Sequence, residues 1–459
     1  MIPHMRPLNF ILCLAVATHC WAEDSSLTSP AVSTTDNAAV RIPVSSEFPV
    51  AQQLVNLGLQ SSVMGEAERA CTLFQQALQV DPDCILAHAG ILMSTQSGSE
   101  AYKAHLSRLN ELMPDAVLTP VEEWYLSTLL QYIGGDLQGA AAAFTERAER
   151  YKRDSLAACW DIVLNHYAAQ DGTEELTSRA DTLLQRYPEN PVVHFCRALL
   201  EECSTAPSVQ ALASSQKAAK AMPGSHAACL LAGRLLCNAE KPKEAAALFQ
   251  KILCNSPADS EAHITAQLSL ISAFVQQHSP NSWTEALKEA RKIAQKASSC
   301  ALTSNSGILL HWEGKTSLLR LLVLQKTPPA GQAINTAANA CNAPEGDPVR
   351  LVQDCLVESI RARSLAETNR KSTAHERLAK AEKHFQDLQR AGEEIRKQGG
   401  ISATCIQRAE QACIAAMYRA KIALYPSTSD IWQNHLNEVL QLPQARFLPP
   451  VLPQPHAEK

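Results

Sequence analysis

A chain of 459 residues, 46% of them hydrophobic, can bury a substantial core as two or three ordinary domains or as one extended array, which excludes disorder throughout. The formal charge is -5, and the 19% of charged residues are spread along the chain without a basic block, so there is no electrostatic footprint for a nucleic-acid partner.

Residues 1–22 read as an export signal. His4 and Arg6 precede an apolar run from Leu8 to Ala17, and Cys20-Trp21-Ala22 resembles a small-x-Ala cleavage site before Glu23. The run is shorter than the roughly 20 apolar residues a membrane span needs, so no permanent span is expected. Neither Cys13 nor Cys20 follows the small residue a lipoprotein signal requires. A soluble exported protein, periplasmic or secreted, is the expectation. Of the 15 cysteines, 13 lie beyond this segment, an odd number that cannot all pair internally. Export permits disulfides. Most of these cysteines nevertheless sit in helical patterns where alanine would also fit, so they read as small buried hydrophobes or as one or two bridges.

Residues 23–47 hold nine Ser or Thr and no helical period, as a flexible linker does. Helical spacing of apolar residues begins at Phe48. Phe74, Phe144 and Phe249 each follow an alanine four residues earlier (Ala70, Ala140, Ala245) and lie 70 and 105 residues apart. Pro188, Pro223 and Pro257 keep a beat of 35 and 34, and Pro82 and Pro114 are 32 apart. A period near 34 with Gly or Asp in mid-repeat resembles the tetratricopeptide repeat, a pair of antiparallel helices, A and B. With Ala51 as a first position, Leu54, Leu57, Gly58, Gly65, Ala70, Phe74, Ala77 and Pro82 fall on the signature. A second clear copy begins at His226 with Ala232, Gly233, Ala245, Phe249 and Pro257, and weaker copies begin near Asp83, Val121, Ala157 and Val192. The resemblance implies about six repeats over 48–258 in an all-α, right-handed superhelical solenoid.

From 259 to 345 the period predicts divergent helical repeats, with helices over 260–278, 283–298, 306–326 and 330–341. Residues 346–426 predict a long helical hairpin. Leu378, Ala381, Phe385, Leu388 and Ile395 take a and d heptad positions there, and Gly399-Gly400 turns the chain. Residues 427–459 read as a short helix and a Pro-rich tail, either an unstructured terminus or a ligand for another protein.

No HExxH, GxSxG or Gly-rich phosphate loop occurs, and His375-Glu376 lacks a second histidine four residues on, so neither catalytic residues nor a cofactor or metal site is expected. The resemblance implies a concave groove lined by positions 2, 5, 6, 9, 12 and 13 of each repeat. Its candidate partner-binding residues are Asn56, His88, Tyr125, Asp161, Asn165, Arg197 and Arg234. Asp161 and Arg197 can instead pair with each other, whereas Asn165 and Arg234 have no evident partner in the sequence. The family's chaperone-tail clamp of Lys and Asn is unmatched at Val55, Leu59, Ala87 and Ile91. The expected function is a non-catalytic scaffold that binds protein or peptide segments, with a role in assembling an envelope complex. Two alternatives stay open: an extracytoplasmic glycan-binding protein, against which the 5% aromatic content counts, and a thiol or metal protein.

Overall fold

The computed structural model describes residues 42–95, 99–168, 173–202, 204, 206–297, 305–325, 329–340, 343–398 and 400–441. The export segment and the Pro-rich tail lie outside them. The described residues are all α-helical and fall into two compact units, one drawn from Met1–Leu200 and Ala213–Ala228, the other from Glu201–Leu212 and Cys229–Lys459.

Unit 1 is built from consecutive helical pairs: α1 (Pro49–Val63) with α2 (Ala67–Val80), α3 (Ile85–Ser94) with α4 (Glu100–Leu112), α5 (Pro120–Ile133) with α6 (Leu137–Arg150), and α7 (Ser155–Ala168) with α8 (Thr173–Arg186). Next come α9 (Pro191–Leu199) and α10 (Val209–Ala221), then α11 (His226–Asn238), whose first turn belongs to this unit. The prolines keep the beat because each ends a B helix. Pro82, Pro114, Pro188, Pro223 and Pro257 stand just past the ends of α2, α4, α8, α10 and α12 (Pro242–Asn255), where a residue without an N–H and hostile to helix in its predecessor stops the chain. Pro49, Pro120, Pro191 and Pro242 instead occupy first turns, where the missing N–H costs nothing.

Glycine on helix A, of the same pair or of the next, admits the phenylalanine of helix B. A Cβ on Gly58 would meet the Phe74 ring at 2.6 Å and one on Gly90 would meet it at 2.4 Å, while one on Gly233 would meet Phe249 at 2.4 Å. Phe74, Phe144 and Phe249 are fully buried, as are Ala70, Ala140 and Ala245 one turn before them. The tight A-to-B turn needs one left-handed residue, supplied by Gly65 (φ 76°) and Gly135 (φ 89°), and later by Glu240 (φ 58°), where no glycine is available.

Unit 2 continues with the rest of α11, then α12, α13 (Glu261–Gln276) and α14 (Pro280–Ala297). α15 (Asn305–Leu309) passes through a π-turn at Leu310–Gly314 into α16 (Lys315–Leu324), and α17 (Gly331–Ala340) follows. The expected hairpin over 346–426 is three helices rather than two: α18 (Pro348–Glu367), α19 (Lys371–Gln398) and α20 (Gly400–Leu424), each packed on the other two. The extra break falls at Asn369, whose φ of 62° ends α18 without a glycine or proline to announce it. α21 (Ser429–Gln441) packs on α20. Among the described residues no helix is long and apolar enough to cross a membrane.

Candidate peptide-binding face

The inner, A-helix face of unit 1 is where a partner segment is expected, and the protein lays its own chain there. Residues 42–46 run extended, with Ile42, Val44 and Ser46 buried and Pro43 and Ser45 exposed, the alternation of a half-covered strand. Asn56 reads the backbone of this segment from both sides. Its Oδ1 accepts the Ile42 N–H at 2.8 Å and its Nδ2 donates to the Ile42 carbonyl at 3.2 Å. Gln52 Nε2 donates to the Ser46 carbonyl at 2.6 Å. At the far end the Glu122 carboxylate accepts both the Ser45 N–H, at 2.9 Å, and the Ser45 hydroxyl. The segment thus bridges α1 and α5. The linker expected to run to residue 47 gives way at Ile42, because two apolar side chains and a satisfiable backbone favour burial over solvent.

The other six candidate residues are in place on their helices but turned into the interior. His88 is buried, its Nε2 on the Pro82 carbonyl at 3.0 Å and its Nδ1 2.9 Å from His105 Nδ1. His194 repeats the contact on Pro188 at 2.8 Å, so these histidines cap the proline turns of the repeats. Burial holds the pKa of His88, His105 and His194 below the usual histidine value, and each ring accepts as well as donates in its neutral form. Tyr125, fully buried, donates to Asp154 at 2.6 Å, and Arg147 meets the other Asp154 oxygen at 2.6 Å while lying 4.4 Å over Trp124. Burial, with Asp154 beside it, keeps the Tyr125 phenol far above its usual value.

The conditional pairing of Asp161 with Arg197 does not form. Asp161 takes Arg179 (3.1 Å), Thr145 (2.5 Å) and Asn165 (2.8 Å), and Arg197 takes Asp181 at 2.6 Å. Asn165 is therefore partnered, against expectation. So is Arg234 of unit 2, whose Nη1 stands 2.5 Å from Glu202. The sequence missed these pairs because they join a helix to its neighbour's loop or B helix across 16 to 32 residues. Gln52 and Glu122 were findable: both occupy position 2 of their repeats, one of the inner-face positions.

Unit 1 has its inner face filled because its turn is tight. α1 touches α7, and the α1–α2 turn reaches the start of α11, where Glu66 accepts from the Ser225 hydroxyl at 2.8 Å and from the Ala227 N–H at 3.0 Å. Val55, Leu59, Ala87, Ile91, Leu126 and Leu129, expected to line an open groove, are buried accordingly. Trp160 and Trp312 are buried, and Trp124 lies edge-on to Tyr125 and Phe144 beneath Arg147, so these rings are committed to packing rather than offered to sugar faces. Among the described residues no group of three His, Cys, Asp or Glu is placed to hold a metal. Burial raises the thiol of Cys84 to about 12 and that of Cys413 well above its usual value, and the hydrogen bond with Cys196, with burial, does the same for Cys159, which keeps all three protonated.

The deciding feature is the wedge of Gly58, Gly90 and Gly233 on Phe74 and Phe249, repeated with a B-helix proline in register. The packing of the pairs is that of a tetratricopeptide-like helical repeat. No family model matches it, and no curated protein does. Among solved structures it is similar to a thermophilic tetratricopeptide-repeat protein of Thermus thermophilus, at 17% identity over 48% of this chain and 99% of that one, with a TM-score of 0.29. A tetratricopeptide-repeat protein from Parabacteroides merdae matches at 14% identity, 66% and 96% coverage and a TM-score of 0.31. Human IFIT1, solved as a dimer with PPP-AAAA, matches at 13% identity, 84% and 93% coverage and a TM-score of 0.35. The tetratricopeptide-like assignment rests on the side-chain packing and not on these distant likenesses.

Proposed function

We propose that the chain is a non-catalytic repeat scaffold that binds extended protein segments on the inner face of unit 1, and that it does so outside the cytoplasm, in the assembly of an envelope complex. The observation that carries the binding reading is the two-sided grip of Asn56 on the Ile42 backbone. Such a contact reads main chain rather than side chain, so any extended segment with apolar residues two apart satisfies it. Export is supported by the short apolar run before Ala22, and N-terminal sequencing of the mature protein should begin at or near Glu23.

The test of the binding face releases the resident segment. Replacing Ile42 and Val44 together by Asp expels it, and a synthetic peptide of residues 41–48 is then titrated into that variant and into the unaltered chain. The released variant should bind the peptide at least about tenfold more tightly, because in the unaltered chain the tethered segment competes at an effective concentration on the order of millimolar. Adding Asn56→Ala to the released variant should weaken binding about tenfold, the worth of one or two hydrogen bonds. Absence of binding to the released variant would refute the proposal.

A further inference from the structure

Among its described residues unit 2 holds a buried guanidinium with no carboxylate against it. Arg234 of α11, Arg320 of α16 and Arg408 of α20 are all buried, and the carboxylates among them are Glu202, on Arg234, and Glu313 of the π-turn, on Arg320. The cluster is electrostatically one: Arg408 feels Glu313, Arg320 and Arg234, and Glu202 feels Arg234 and Arg408. Arg234 and Arg320 each face a carboxylate, whereas the Arg408 guanidinium, which does not shed its proton in proteins, has none within ion-pair distance among the described residues. Burial pushes the Glu202 carboxyl up, which weakens the negative side further. Arg408 is 6% exposed, and its Nε and Nη1, which carry most of its donors, meet no hydrogen-bond partner among the described residues. α20 brings this side chain to the wall formed by α15, the π-turn and α16, against which it packs. A π-turn inside a helix is a recurrent mark of a functional site.

We propose that unit 2 holds a small oxyanion, a carboxylate or phosphate group, on the Arg408 guanidinium, with Arg234 and Arg320 supplying flanking charge. A buried cation with unmet donors is costly, and an oxyanion satisfies both the charge and the planar donor set, which a spherical halide does not. The site is separate from the unit 1 binding face and requires no partner protein.

The full chain is titrated calorimetrically with inorganic phosphate, with acetate and with chloride at matched ionic strength, and its thermal midpoint is followed in the same series. One saturating site for phosphate or acetate is expected, with a midpoint rise of about 5 °C at a hundredfold excess over Kd; whichever anion binds more tightly identifies the source of the oxyanion. Arg408→Met should abolish both the binding and the midpoint rise. Arg408→Lys, which keeps the charge but loses the planar donor set, should bind about tenfold more weakly and serves should the Met variant not fold. No saturable binding of either oxyanion, binding of chloride as tight as theirs, or wild-type binding by both variants would each overturn the proposal.

Discussion

Asn56 in unit 1 and Arg234 in unit 2 hold corresponding faces of their A helices, and the protein satisfies them by different means. Asn56 is matched by backbone, the two-sided contact with Ile42. Arg234 is matched by charge, through Glu202. A backbone match is interchangeable, since another extended segment offers the same groups. A buried charge match is not, because removal of either partner strands the other away from water. The first region is therefore suited to exchange of occupants and the second to rigidity.

The sharpest way to break this contrast is Arg234→Ala. It removes the 2.5 Å partner of the half-buried Glu202, leaving Arg408 as the cation that the carboxylate still feels, and should cost about 3 kcal/mol, the lower end for a broken buried pair, read as a fall in the urea or thermal midpoint. A loss under about 1 kcal/mol would show that the pair is solvated and that unit 2 is no more rigid than unit 1. Next comes Gly233→Leu, which drives a side chain into Phe249 and should cost about 1–3 kcal/mol. Gly331→Ala, with open space around its Cβ, should leave the midpoint unchanged or slightly raised, and equal losses at the two glycines would refute the repeat register. Asn56→Ala should cost about 1 kcal/mol or a little more, confined to the segment it holds. Amide exchange at Ile42 should accelerate while that of α5 holds; a fall in protection throughout unit 1 would mean that the segment is part of the core and not an occupant. The smallest change is Glu240→Gly, which relieves a left-handed backbone and should stabilise by up to about 1 kcal/mol in thermal melts.

The fold was legible where glycine or proline recurred in register with a phenylalanine. Gly58 and Gly233 answer Phe74 and Phe249, and Pro82 and Pro257 follow the same helices, so spacing alone marked pairs such as α1–α2 and α11–α12. At Asn369 the chain turns in the left-handed region without a glycine or proline, and the reading merged what the structure separates. The candidate site was half legible. Position within the repeat singled out Asn56, which the structure places on Ile42, yet whether such a face is open depends on how far the first pair curls toward α7 and α11, a distance that no local pattern encodes. The opposite charges that neutralise Asp161, Arg197 and Arg234 come from neighbouring segments and were invisible for the same reason.

The contact of Glu66 with Ser225 spans 159 residues, and its effect is temporal as well as spatial. A helical-repeat array ordinarily consolidates pair by pair as it leaves the ribosome, each needing only its neighbour. Here the first pair stays unfinished until the start of α11 has been made. At about 5–20 residues per second that is roughly ten to thirty seconds of synthesis, during which its inner apolar face is open to whatever chaperone meets it.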